Sequence, residues 1–134
     1  MASAAIAGVG TVFKRAAVAI AEINSIAGPT FSRNTIDVTS LDSTGGYKEF
    51  IAGMRDAGEV TLSMNFAFAG WAAMKSDFES NATKEYSIHL PDTTLTILTF
   101  DGLVTAMPLG TITPDEKITV DVTIKISGTV DVTT

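Results

Sequence analysis

Three observations predict a mainly β fold: strict apolar–polar alternation in the two longest regular segments, a chain rich in threonine, and only one stretch with helical spacing. The expected architecture is a β-sandwich or partly open barrel of antiparallel strands, with one short flanking α-helix over residues 70–81 and a long extended arm over residues 41–58. The alternation is cleanest at residues 118–127. Ile118, Val120, Val122, Ile124 and Ile126 share one face, and Thr119, Asp121, Thr123, Lys125 and Ser127 share the other. Period two over such a length is a half-buried antiparallel strand of about 33 Å. Residues 59–68 repeat it, with Val60, Leu62, Met64, Phe66 and Phe68 inward and Glu59, Thr61, Ser63 and Asn65 outward. Nineteen threonines suit such surfaces, because a β-branched side chain is stiff at χ1 and packs well on a pleat.

Shorter strands are expected at residues 18–26, 35–40, 85–90, 95–100 and 103–111. Asp101-Gly102 reads as a hairpin turn between the last two. Residues 70–81 place Trp71, Met74 and Phe78 at i, i+3 and i+7, an apolar stripe that should lie on the core side of a three-turn helix. A core role for Trp71 outweighs a ligand-stacking one. Thr113-Pro114-Asp115-Glu116 resembles a helix start, but alternation resumes at Ile118 and makes it a tight turn. At 134 residues the chain is long enough for one domain with a core and short for two, so residues 1–134 are expected to form a single domain.

Residues 41–58 fit a compact domain poorly. Unstructured loops beyond about 12–15 residues are uncommon and usually functional or disordered. Gly45, Gly46, Gly53 and Gly58 punctuate this one, yet it also carries Leu41, Tyr47, Phe50, Ile51, Met54 and Arg55. Disordered linkers avoid large apolar residues such as the first five of these. Two readings follow: an arm whose aromatic and aliphatic side chains dock on another subunit, or a loop folded back over its own core. The N-terminal residues 1–15 pose the same question, since Ile6, Val9, Val12 and Phe13 make them less polar than a frayed terminus. They are a second arm or the first strand.

Composition excludes much chemistry. There is no cysteine and only one histidine, His89, so thiolate metal sites, cysteine nucleophiles and two-histidine metal motifs are ruled out. Nine Lys and Arg against 15 Asp and Glu leave a net charge of -6, the reverse of what a phosphate-gripping surface needs. Asp37, Asp42, Asp56 and Glu59 lack calcium-loop spacing and read as solvated charges. His89 is the only candidate base for a triad, and no G-x-S-x-G elbow accompanies it. No catalytic, metal or cofactor-binding residue is assigned, and no cofactor is expected. The basic residues Lys14 and Arg15 follow the first apolar stretch, the wrong order for a secretory signal. No uncharged run reaches the roughly 18 residues of a membrane span, so no membrane partner is expected. Long sticky arms and several strand edges suit a self-associating protein in which identical subunits close those edges into a ring.

The middle of the chain carries a specific resemblance. I-D-V-T from Ile36 to Thr39 leads into G-Y-K-E-F-I-A-G from Gly46 to Gly53, and D-A-G-E from Asp56 to Glu59 then opens a long strand. These parts, in this order and spacing, resemble the tail tube (major tail) proteins of long, flexible-tailed bacteriophages. The likeness extends over about residues 16–128. It implies a structural subunit, not an enzyme, that polymerises as stacked hexameric rings into a hollow virion tail tube. It also implies a tape-measure protein in the lumen, tail-tip or baseplate initiator and tail terminator proteins as partners, and assembly in the host bacterial cytoplasm. Double-stranded DNA would pass without specific binding. The arm would contact neighbouring subunits and the adjacent ring. If six copies pair their longest strands, Glu59, Thr61, Ser63, Asn65, Thr119, Asp121 and Thr123 would line the lumen, where hydroxyls and carboxylates do not grip phosphate. Lys125 is the exception on that face. The alternative is a small β-barrel binding module, such as a carbohydrate or baseplate-type adhesin domain, with the threonine faces and Trp71 as its recognition surface.

Overall fold

A computed structural model describes residues 5–20 and 22–134. Nine strands and one helix follow in the order β1 Val12–Arg15, β2 Val18–Ile20, β3 Ile23–Ala27, β4 Ser32–Asp37, β5 Phe50–Asp56, β6 Glu59–Asn65, α1 Phe68–Glu79, β7 Lys84–His89, β8 Ile97–Ala106 and β9 Thr119–Thr133. Seven strands form one antiparallel sheet in the order β2-β1-β7-β8-β9-β6-β3, and β4 and β5 form a separate two-stranded sheet. The outer strands β2 and β3 sit at opposite edges of the sheet, yet Ile20 and Ile23 are three positions apart. An extended chain spans at most about 11 Å over that distance, so the sheet must curl until its edges approach. The result is a half-barrel, the partly open form of the expected architecture.

Alternation builds the core. Val60, Leu62 and Met64 of β6 and Val120, Val122 and Ile124 of β9 are all fully buried, and each set is opposed in register across the β6–β9 pair. Phe13, Tyr86, Ile88, Phe100 and Val104 extend this floor across β1, β7 and β8. The Tyr86 ring stacks on Phe13 at 5.6 Å and leans on Phe100 at 6.0 Å. Each buried aliphatic side chain contributes about 1.5–3 kcal/mol relative to exposure.

Several expectations are corrected. Asp101-Gly102 is not a turn: both residues lie inside β8, which runs unbroken against β9 apart from two register shifts. Gly102 is there for space, because a Cβ would meet the backbone oxygen of Lys125 at 3.0 Å and the Ile124 side chain still closer. The strand expected at 103–111 stops at Ala106, and residues 108–110 run beside the start of β9, held by Gly110 N–H to Thr119 O (2.7 Å) and Asp121 N–H to Pro108 O (3.1 Å). The single strand expected at 18–26 is two strands on opposite edges, and Ala21 between them lies outside the described residues. Of the N-terminal segment, residues 1–4 also lie outside them, while Val12–Arg15 is β1.

The helix spans Phe68–Glu79, two residues earlier than expected. Met74 is fully buried and Trp71 partly so, but Phe78 is 48% exposed and Asp77 takes its place in the interior. The stripe is rotated because Asp77 has strong partners inside. Arg15 on β1 donates to both of its carboxylate oxygens (2.6 and 2.7 Å), and the Tyr86 hydroxyl on β7 donates to Oδ2 (2.6 Å). A bidentate guanidinium satisfies a buried carboxylate well enough to displace an aromatic ring. This cluster fastens α1 to β1 and β7.

Candidate assembly surfaces

The segment 41–58 is not a structureless loop but the tip and second half of a β-hairpin. β4 and β5 pair from Ser32 opposite Asp56 to Asp37 opposite Phe50, with a register shift between Arg33 and Thr35. A single 3-10 turn at Thr44–Gly46 closes the tip. The tip organises itself through local polar bonds. Glu49 N–H donates to Thr39 Oγ1 (2.7 Å), Thr39 N–H to Asp37 Oδ1 (2.8 Å), and Ser40 N–H to Ser43 Oγ (3.0 Å). The Thr39 hydrogen bonds, side chain first, hold the Asp37 carboxyl below its usual pKa. The turn signals were read from the sequence as loop because short local hydrogen bonds of this kind look alike in loops and in hairpin ends.

The hairpin leaves its apolar side chains in solvent. Leu41 is fully exposed, Met54 87%, Tyr47 77%, and Phe50 and Ile51 each 53%; Arg55 is exposed as well. Phe31, Ile36 and Val38 add to the same apolar surface. These side chains are left in solvent and are not part of the subunit's buried core.

The hairpin joins the sheet through Ala57-Gly58. Gly58 has φ +79°, and a Cβ there would run into the Thr30 backbone oxygen. Its N–H donates to Asp56 Oδ1 (2.8 Å), and its carbonyl accepts from Ile126 N–H (3.0 Å). Lys125 Nζ lies 3.2 Å from both Asp56 oxygens. The Gly58 N–H and then Lys125 hold the Asp56 carboxyl below its usual pKa. Lys125, the residue that looked out of place on a hydroxyl-rich strand, thus anchors the base of the hairpin. Sequence separation hid the pair.

The outer face of β6 and β9 is one polar band. Glu59 faces Lys125, Thr61 faces Thr123, Ser63 faces Asp121 and Asn65 faces Thr119. The structure therefore gathers all seven residues expected on this face. β3 extends the band with Ser25 opposite Ser63, a neighbour the sequence did not reveal because β3 was read as part of a longer strand. Asn65 is held in place by Asn24 and Glu22, each at 2.8 Å. At the other end of the sheet Ser87 Oγ lies 3.1 Å from His89 Nε2. Partial desolvation and the nearby Lys14 charge lower the His89 pKa. Among the described residues no group of three or more His, Asp or Glu is placed to hold a metal ion.

The two candidate surfaces are accordingly an apolar hairpin and a polar sheet face. Chains of similar fold occur in solved phage-like particles and an injection system. A chain in the virion of a native gene transfer agent particle superposes with a TM-score of 0.80 at 20% identity, covering 97% of this chain and 100% of that one. A chain from the tail of an empty gene transfer agent particle, refined helically with C6 symmetry, gives 0.76 at 18% identity with the same coverage. A chain of the sheath–tube complex of an extracellular contractile injection system gives 0.72 at 15% identity, covering 92% of this chain and 87% of that one. No curated protein sequence matches the chain. The model of the family described as lambda phage tail tube protein matches residues 10–133. The chain belongs to the lambda phage tail tube protein family.

Proposed function

We propose that the chain is the repeating wall of a virion tail: it polymerises as stacked hexameric rings, with the hairpin of β4 and β5 docked on neighbouring copies and the polar face of β6 and β9 turned to the lumen. The observation that carries this reading is the exposed apolar hairpin on a family member whose sheet already buries a complete core of its own. Phe50, Tyr47, Leu41, Ile51 and Met54 gain burial only if another copy covers them. Six copies repeat the -6 charge of the chain around each ring. A channel faced with Thr61, Ser63, Thr119, Thr123, Glu59, Asn65 and Asp121 offers little cationic grip to phosphate, since Lys125 on the same face is paired with Asp56, so double-stranded DNA would slide through it. A tape-measure protein would fill the lumen during assembly in the host bacterial cytoplasm, an initiator at the tail tip or baseplate would start the tube, and a terminator would end it. The role needs no catalysed reaction and no cofactor.

Electron microscopy of the purified protein, alone and with an initiating complex, tests the reading. Rings or tubes are expected for the wild type, and Tyr47→Ala and Phe50→Ala should remove them while leaving β-rich circular dichroism intact. Normal tubes from both variants would overturn the docking role of the hairpin.

A further inference from the structure

The hairpin of β4 and β5 has different chemistry at its two ends. Its base borders an open cleft of about 980 Å³, with Phe31, Arg33, Met54 and Arg55 on the hairpin side and Ile126 and Val130 on the sheet side. The β9 stretch in this cleft has a bare edge. β6 pairs with β9 only as far as Lys125, the Ile126 N–H takes the Gly58 carbonyl, and residues 127–133 pair with β8 alone. The space beside Gly128 is open, since an added Cβ would meet nothing within 4 Å. The charged residues lining the cleft are Arg33, Arg55 and Asp56, and Asp56 is held by Lys125. Neither arginine joins an ion pair among the described residues. The cleft is thus apolar with two cations at its hairpin wall.

The tip is the complement. Leu41 and Tyr47 stand in solvent, and the exposed acids Asp37, Asp42 and Glu49 outnumber Lys48. This tip cannot fill the cleft of its own subunit. Paired strand separates Arg55 from Phe50, roughly 16 Å at the rise of a strand, and the tip lies beyond Phe50. Leu41 is fully exposed, so nothing in its own subunit covers it. We propose that the hairpin tip of one copy plugs the cleft of a second copy of this chain. Leu41 and Tyr47 would pack on Phe31, Met54, Ile126 and Val130, and the tip carboxylates would meet Arg33 and Arg55. Guanidinium–carboxylate contacts add charge-assisted bonds with fixed geometry, and opposite charge on the two partners sets their orientation. A plug and a socket on the same chain make a heterologous contact, which propagates around a ring or along a filament instead of closing on a pair. The plug rests on the tube reading above and names the surface that receives the hairpin.

Cross-linking of the full chain tests it, with electron microscopy to confirm tubes. The chain has no cysteine, so introduced thiols report on one contact, and a disulfide forms only where Cα atoms come within about 7 Å. Leu41→Cys labels the tip, and Thr129→Cys labels the cleft, which Thr129 lines from an exposed position. After oxidation, tubes of either variant alone should run as monomers on non-reducing gels. Tubes assembled from an equal mixture should give covalent dimers, and a chain carrying both substitutions should give a ladder of longer oligomers. Mixed tubes without dimers overturn the plug and leave the tube reading standing. Dimers from Leu41→Cys alone would mean that tips meet tips, which also overturns it. A wild type that forms neither rings nor tubes overturns both readings. Charge reversal supplies a second arm, with circular dichroism as the check on folding. Arg33→Glu with Arg55→Glu should raise the concentration needed for tubes by about tenfold or more, and adding Asp42→Lys with Glu49→Lys to that chain should bring it back. A charge-reversed cleft that assembles like the wild type overturns the plug.

Discussion

The curled sheet and the hairpin of β4 and β5 obey opposite rules. In β6, and in β9 as far as Ile126, every second side chain is buried and its neighbours are polar, so this part of the pair is finished within one subunit. In β4 and β5 every residue is exposed or only partly covered, apolar ones included, and Arg33 is in register with Arg55. The sheet's free energy is gained on folding; the hairpin's side chains can gain theirs only on association. Substitutions should therefore divide by readout, those in the sheet lowering monomer stability and those in the hairpin lowering assembly.

The largest effect should come from the sheet. Leu62→Ala removes a fully buried side chain opposite Val122, and chemical denaturation should register a loss of about 2–5 kcal/mol. Asp77→Ala should follow at about 2–4 kcal/mol, reduced from the fully buried case because the Arg15 side chain is 30% exposed. That carboxyl also gives the sheet a pH signature. Burial alone would raise its pKa, but the Arg15 and Tyr86 hydrogen bonds and the charges of Arg15 and Lys84 outweigh burial and hold it below 3.8. A carboxyl depressed in the folded state stabilises above its unfolded pKa and loses that contribution as pH falls through the folded value. The melting temperature should therefore drop steeply below about pH 4, and the Asp77→Asn variant, already destabilised, should lose less over the same range.

Lys125→Ala, at the junction of the two regions, should cost at most about 1 kcal/mol, as exposed ion pairs do. Smallest for the monomer, Leu41→Ala and Tyr47→Ala should stay within about 0.5 kcal/mol of the wild type, yet they should remove tubes from electron micrographs. A hairpin variant that unfolds the monomer would erase the contrast between the two regions.

What could be read from the sequence follows the same division. Period-two alternation located β6 as far as Asn65, β9 as far as Ser127 and the seven polar residues of their outer face, because burial on one side of a pleat writes itself into neighbouring positions. Met74 was legible on helical spacing for the same reason. Phe66 and Phe68, expected inward, lie beyond β6 and are exposed, with Phe68 opening α1. Long-range polar pairing was not legible: nothing near Asp77 in the sequence points to Arg15, 62 positions away, and Lys125 looked anomalous because Asp56 is 69 away. The apolar content of residues 41–58 marked the segment as unusual, but its strand was not legible, since exposed strands carry no alternation to detect. Gly102 misled for a related reason. A glycine needed for close approach of β9 reads like one needed for a turn.

A cryo-EM reconstruction of the assembled particle tests the central claim most directly. The account predicts Tyr47, Phe50 and Met54 buried against neighbouring copies, with Thr61, Thr123 and Asp121 facing the channel. A hairpin left in solvent on the tube exterior, or Thr61 and Asp121 on the outer wall, would contradict it.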